Sequence, residues 1–136
     1  MVALIPVRAV EDKITNSVQD FVRRNIVSVE QLEILLLLFA ERERDWSAAE
    51  VNSQIRSQES SVSKWLTVLA SIGLVARVAE TDRYKFAASS AGIEQQTAAL
   101  AQLYKDFRVR IIELIYSRPG SQLRDFSNAF NLRKPL

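Results

Sequence analysis

The stretch "SSVSKWLTVL", residues 60–69, is the part of this chain whose side chains have most to offer a ligand. At helical spacing Ser60, Lys64, Thr67 and Ser71 share one face, while Val62, Trp65, Leu66 and Leu69 share the other. The first face carries hydroxyls and a single ammonium, groups that bind rather than make bonds. Hydroxyls donate to phosphate or to either type of base, and a lysine pairs with a phosphate or a guanine edge. Such a helix looks presented to a groove. The competing assignment is a solvated helix surface that serves solubility and capping. Trp65, at the inner edge, is expected to fill the core or to pack half-buried.

Covalent and redox chemistry are poorly served by the rest of the chain. There are no cysteines and no histidines, which removes thiolate zinc sites, disulfides, and Cys or His nucleophilic machinery together. Gly73, Gly92 and Gly120 stand isolated at apparent helix boundaries, so no glycine-rich loop can cradle a phosphate. No carboxylate pair stands out from the solvated charge. The expectation is a protein that is not an enzyme and has neither a cofactor nor a metal centre.

The elements that must position the Ser60 to Ser71 face are readable from periodicity and caps. Val10, Ile14, Val18, Phe21 and Val22 mark an amphipathic helix over residues 10–25. Ser28 with Gln31 forms a capping-box pattern, opening a helix expected to run through Arg44. Its apolar residues face two ways: Leu32, Leu35, Leu36 and Phe39 on one stripe, Ile34, Leu37 and Leu38 on another. A helix apolar on two sides is buried from two sides. Ser47 with Glu50 repeats the capping box and starts a short helix with Val51 and Ile55 inward, and Trp46 before it is expected to act as a hydrophobic staple. After the turn "RSQ", Ser57 is the expected cap of the helix at 58–71, and Gly73 suits the left-handed position that ends it. "LVARVA" and "YKFA" flank "ETDR" as a small β-hairpin. Ser89 or Ser90 then caps a long helix to about Ser117, with Ile93, Leu100, Leu103, Tyr104, Phe107, Ile111, Leu114 and Ile115 in one stripe, before Pro119 and Gly120. A last short helix is expected at 122–131.

The 136 residues, 48% of them hydrophobic, suffice for a single core and point to one domain over 1–136. Only 3 Gly and 3 Pro favour a mainly α chain over an all-β one. The opening "MVALIPVR" is too short for a signal core, and "LEILLLLFA" is about half of the ~20 residues a membrane span needs. A cytoplasmic protein with no membrane partner is the expectation. The net charge of +2 is unevenly spread: residues 28–88 hold seven basic and nine acidic side chains, and residues 89–136 hold seven basic and four acidic.

Helix, helix, turn, helix and hairpin follow one another in the winged helix-turn-helix order. The segment "AAEVNSQIRSQESSVSKWLTVLASIGLVARVAETDRYKFA" resembles bacterial winged-helix regulators of the multiple-antibiotic-resistance-regulator type, through Ser61, Ser63, Leu66, Leu69, Gly73, Leu74, Val75 and Arg77. The resemblance covers residues 28–88. It implies a mainly α fold with a small β-hairpin, the winged module at 28–88 being flanked by an N-terminal helix at 10–25 and C-terminal helices at 89–136. The implied function is transcriptional regulation, with Ser60, Ser61, Ser63, Lys64 and Thr67 facing the major groove of double-stranded DNA and Arg83 reaching from the wing at about 74–87. Arg56, in the turn, is a candidate phosphate contact. Glu59 in the first turn lies where phosphates approach, and Glu80 and Asp82 leave the wing tip near neutral beside Arg83.

A helix of about 28 residues is about 42 Å long at ~1.5 Å per residue, more than the module needs to cover its own core. Together with the terminal-helix dimerisation common in such regulators, this makes a homodimer the expectation, with Leu100, Leu103, Tyr104, Phe107, Ile111 and Leu114 as candidates for its interface. The alternative is a winged-helix adaptor that does not bind DNA. It would hold a protein partner, or build a larger assembly, through the acidic module at 28–88 or through the arginine- and aromatic-rich C-terminal helices, a composition found at interfaces.

Overall fold

The computed structural model describes residues 15–116. They form α1 (Asn16–Asn25), α2 (Val29–Ala40), β1 (Trp46–Ser47), α3 (Ala48–Ile55), α4 (Glu59–Ser71), β2 (Val75–Arg77), β3 (Arg83–Phe86), α5 (Ala91–Asp106) and α6 (Arg108–Tyr116). Two compact units result: residues 28–102, and residues 15–27 taken with 103–116. The helix expected at 122–131 and the first turn expected at 10–14 lie outside the described residues.

In the larger unit, the Ser28 hydroxyl accepts the Gln31 N–H at 3.0 Å and so opens α2. The helix ends at Ala40, with the Glu41 N–H closing on the Leu37 carbonyl, one turn earlier than expected. Both apolar stripes supply core. Leu32 and Leu35 from one, and Ile34 and Leu38 from the other, are fully buried. Phe39, farther along, meets Phe86 of β3 edge to face, with ring centroids 5.0 Å apart.

Ser47 and Glu50 complete the expected capping box, each side chain accepting the other residue's N–H. The turn after α3 puts Arg56 in the left-handed region at φ 63°, and the Asn52 side chain accepts the Ser57 N–H at 2.9 Å. Ser57 therefore belongs to the turn and is not the cap. Gln58 is the N-cap of α4, without a side-chain hydrogen bond. Val62, Leu66 and Leu69 bury the inner face of α4, which packs on α2 and α3. Its end is a Schellman arrangement: Leu74 N–H donates to Leu69 O and Gly73 N–H to Ala70 O, with Gly73 at φ 82°. A side chain at Gly73 is doubly opposed, because a Cβ there would lie 3.0 Å from Ser89 Oγ.

The expected hairpin is present, and it is part of a three-stranded antiparallel sheet in the order β1-β3-β2. Val75 pairs with Phe86 and Arg77 with Tyr84, while Trp46 of β1 pairs with Tyr84 on the other side. Trp46 is thus a buried strand residue rather than a staple, with the Arg44 guanidinium 3.8 Å from its ring centroid. Ala79, a non-glycine residue, takes a left-handed conformation in the wing at φ 45°.

Ser90 caps α5, accepting the Ile93 N–H at 3.1 Å. The single long helix expected to reach Ser117 is instead two, separated at Phe107. The Phe107 N–H still donates to Leu103 O, and the Ile111 N–H to Phe107 O, so the break is confined to one residue; no proline or glycine marks it in the sequence. In the smaller unit α1 begins behind the Thr15 cap and packs on α6 through faces that bury Val18, Phe21 and Val22 on one and Ile111, Leu114 and Ile115 on the other. No helix among the described residues is long and apolar enough to cross a membrane.

Candidate nucleic-acid interface

Because Val62, Leu66 and Leu69 fix one side of α4 in the core, the opposite side has to face out. Ser60, Ser63, Lys64 and Thr67 are all exposed there. Between this face, the start of α3 and the wing lies an open cleft of about 440 Å³, lined by Ser47, Ala48 and Ala49, by Glu59, Ser60 and Ser63, and by Asp82 and Tyr84. Helix and wing thus stand on two sides of one concave surface.

The candidate side chains are not equivalent within it. Lys64 sits with Nζ 4.8 Å from the Trp65 ring centroid, and Trp65 is half-buried, as its position implied. Thr67 donates its hydroxyl to the Ser63 carbonyl at 3.1 Å, within its own helix. Ser61 does not share the exposed face: its hydroxyl donates to Glu30 Oε1 of α2 at 3.0 Å, which ties the first turn of α4 to the start of α2. Arg56 is exposed in the turn that precedes α4.

Arg83 is the side chain whose surroundings the sequence least suggests. Its Nε donates to Asp45 Oδ1 at 2.7 Å, and its Nη2 donates to Glu50 Oε1 at 2.7 Å and to the Asp45 carbonyl at 3.3 Å. Glu50 Oε1 also accepts from Arg44 Nη2 at 2.9 Å and from the Ser47 N–H at 3.2 Å. The guanidinium expected to reach outward from the wing is therefore drawn to the base of the sheet and the start of α3. Farther out, Arg77 Nε donates to the Thr81 carbonyl at 2.6 Å, and its Nη2 lies 3.8 Å from Asp82. The Arg83 side chain is 35% exposed, so solvent screens these pairs, but four charges share one network.

Hydrogen bonding from Arg83, then from the Ser47 N–H, lowers the Glu50 carboxyl below its ordinary value, and the opposing effect of burial is smaller. The Arg83 guanidinium is raised by its bonds to Asp45 and then Glu50. A carboxylate with a depressed native pKa contributes stability that is complete above its unfolded value and is lost as the pH falls through its native one. Glu50→Gln is accordingly expected to melt at a lower temperature than the unaltered protein near neutral pH. That gap should close as the pH drops through and below the ordinary carboxylate range. Thermal unfolding followed by circular dichroism across pH checks this, and a gap that does not change with pH would remove Glu50 ionisation from the account.

The interface candidates divide by burial. Leu100 is buried in the larger unit, and Ile111 and Leu114 are buried in the smaller one. Leu103, Tyr104 and Phe107 are half-buried. The exposed apolar side chains of α6 are different ones, Val109 at 67% and Tyr116 at 39%, seven residues apart and so on one helix face.

No protein-family model matches the chain, and no curated protein matches it. Among solved structures it is similar to the reduced form of MarR from E. coli, with 14% identity over 98% of this chain and 96% of that one and a TM-score of 0.47. A mutant of the same MarR gives 14% identity, coverage of 98% and 100%, and a TM-score of 0.49. MepR, a transcription regulator of the Staphylococcus aureus multidrug efflux pump MepA, gives 15% identity, coverage of 96% of each chain and a TM-score of 0.46. By the order of its own elements, α2, α3, turn, α4 and the β2–β3 wing, this chain is a winged helix-turn-helix protein.

Proposed function

We propose that this protein is a DNA-binding transcriptional regulator that lays the exposed face of α4 in the major groove with the wing beside it. The observation that carries the reading is the two-sided construction of α4: one face locked in the core, the other offering Ser60, Ser63, Lys64 and Thr67 across a cleft from the wing. Arg56, before the helix, adds a phosphate contact in this scheme. Ser61 and Arg83 work from behind, Ser61 by fixing the start of α4 on α2 and Arg83 by fixing the wing on α3. Such a regulator acts where the DNA is, which in a bacterium is the cytoplasm.

The regulator works as a homodimer in this proposal, so that two α4 helices read two half-sites. The length of a single C-terminal helix no longer supports that state, given the break at Phe107. Its support is the exposed pair Val109 and Tyr116 on α6.

Fluorescence anisotropy of random-sequence duplex DNA titrated with the protein, from low to physiological salt, tests the reading. The expected result is binding that weakens steeply with salt, because phosphate contacts release counterions. Absence of binding even at low salt would overturn it and leave the winged helix as a protein-interaction module.

A further inference from the structure

The cleft between α4 and the wing has an unexpected charge for a surface that meets DNA. The charged residues that line it are Glu59 and Asp82, and no cation joins them. The carboxylates nearby have structural occupations: Glu30 accepts from Ser61, and Asp45 and Glu50 hold Arg83. Asp82 lies 3.8 Å from Arg77 at the wing. Glu59 is different. It is exposed on the first residue of α4, beside Ser60 and one turn from Ser63, and no hydrogen bond or ion pair engages its carboxylate among the described residues.

A carboxylate on a DNA-facing surface is repelled where it meets phosphate and gains a partner where it looks into the groove at a donor. An ionised carboxylate accepts and does not donate. Along the major groove, the donors are the exocyclic amines of cytosine and adenine, whereas guanine presents two acceptors and thymine an acceptor and a methyl. Adenine places its N7 acceptor beside its amine, which meets a bare carboxylate with like polarity. Cytosine offers the N4 amine without that neighbour. The first residues of a helix docked in this way are those that reach base edges. We infer that Glu59 is a specificity-determining residue that accepts a hydrogen bond from the N4 amine of a cytosine and rejects the other bases at that position. This inference rests on the DNA-binding reading. A glutamate here also complements the helix dipole, a role that would not depend on the base opposite.

The two roles separate in a selection experiment. The full chain and its Glu59→Gln and Glu59→Asp variants are each used to select binding sites from a random duplex library. Affinities are then measured for the preferred site and its single-base variants, with thermal unfolding as a check that all three proteins are folded. The unaltered protein is expected to select one cytosine per α4, and replacing that cytosine should weaken binding about 5- to 150-fold. In Glu59→Gln the preference at that position relaxes or moves to adenine, to which glutamine can both donate and accept. Glu59→Asp retains the first-turn charge but retracts the carboxylate, and the cytosine preference falls with it. Discrimination at every other position stays unchanged. Equal cytosine discrimination in all three proteins, or a preferred site without such a cytosine, would overturn this assignment while leaving the DNA reading intact. No DNA binding by the unaltered protein would overturn both.

Discussion

Leu66→Ala is expected to lower the unfolding free energy by about 2–5 kcal/mol, the range for truncating a fully buried leucine whose surroundings relax only in part. Leu66 is 0% exposed and lies midway between Val62 and Leu69 on the face that α4 turns to α2 and α3. The removed methyl groups lose their apolar surroundings, and the cavity falls beneath the helix that faces the cleft. α4 has no side-chain cap at Gln58, and the bond from Ser61 to Glu30 remains to hold its first turn on α2. Chemical denaturation of the purified variant measures the loss. A cost below about 0.5 kcal/mol, within the spread of ordinary surface changes, would show that this face does not anchor α4.

Lys64→Glu should act on the opposite side of the same helix and leave stability almost untouched. The contact Lys64 makes among the described residues is with the adjacent Trp65 ring, so reversing its charge breaks no ion pair there. If α4 enters the groove, the reversal removes a charge-assisted hydrogen bond and adds repulsion. Affinity for duplex DNA then falls by about 10- to 150-fold at moderate salt, taking ~1.5–3 kcal/mol for such a bond. The dependence of log affinity on log salt becomes shallower by about one unit for each lost phosphate contact. Anisotropy titrations at several salt concentrations, alongside a melting curve, read both quantities. Undiminished affinity in a folded variant would take α4 out of the DNA interface. Paired with Leu66→Ala, the substitution tests whether the helix has one face for the core and another for a ligand.

Much of this architecture is written locally and can be read in the sequence. Ser28 and Ser47 announce their helices three residues ahead, through bonds to Gln31 and Glu50. The spacing of Val62, Leu66 and Leu69 orients α4, and Gly73 ends it. What escapes the sequence depends on residues far apart along it. Ser61 meets Glu30 across 31 positions, and Arg83 meets Asp45 across 38 and Glu50 across 33. A serine or arginine at such a position looks available until the chain closes and supplies its partner. The two-residue strand at Trp46 is too short to show an alternation, and it exists because β3 is there to pair with it. The break at Phe107 has no breaker residue to announce it. The burial of Leu100, Ile111 and Leu114 follows from the chain's own packing, which periodicity alone does not distinguish from a subunit contact.

A single oxygen, Glu50 Oε1, receives the Ser47 N–H, Arg44 and Arg83 together. Fraying of the first turn of α3 and loosening of the wing are consequently one event. Whatever lets the carboxylate swing away releases both, and whatever presses the wing home tightens the helix start. Hydrogen exchange at the Glu50 amide, which is protected by Ser47 Oγ, then reports on a strand more than thirty residues away.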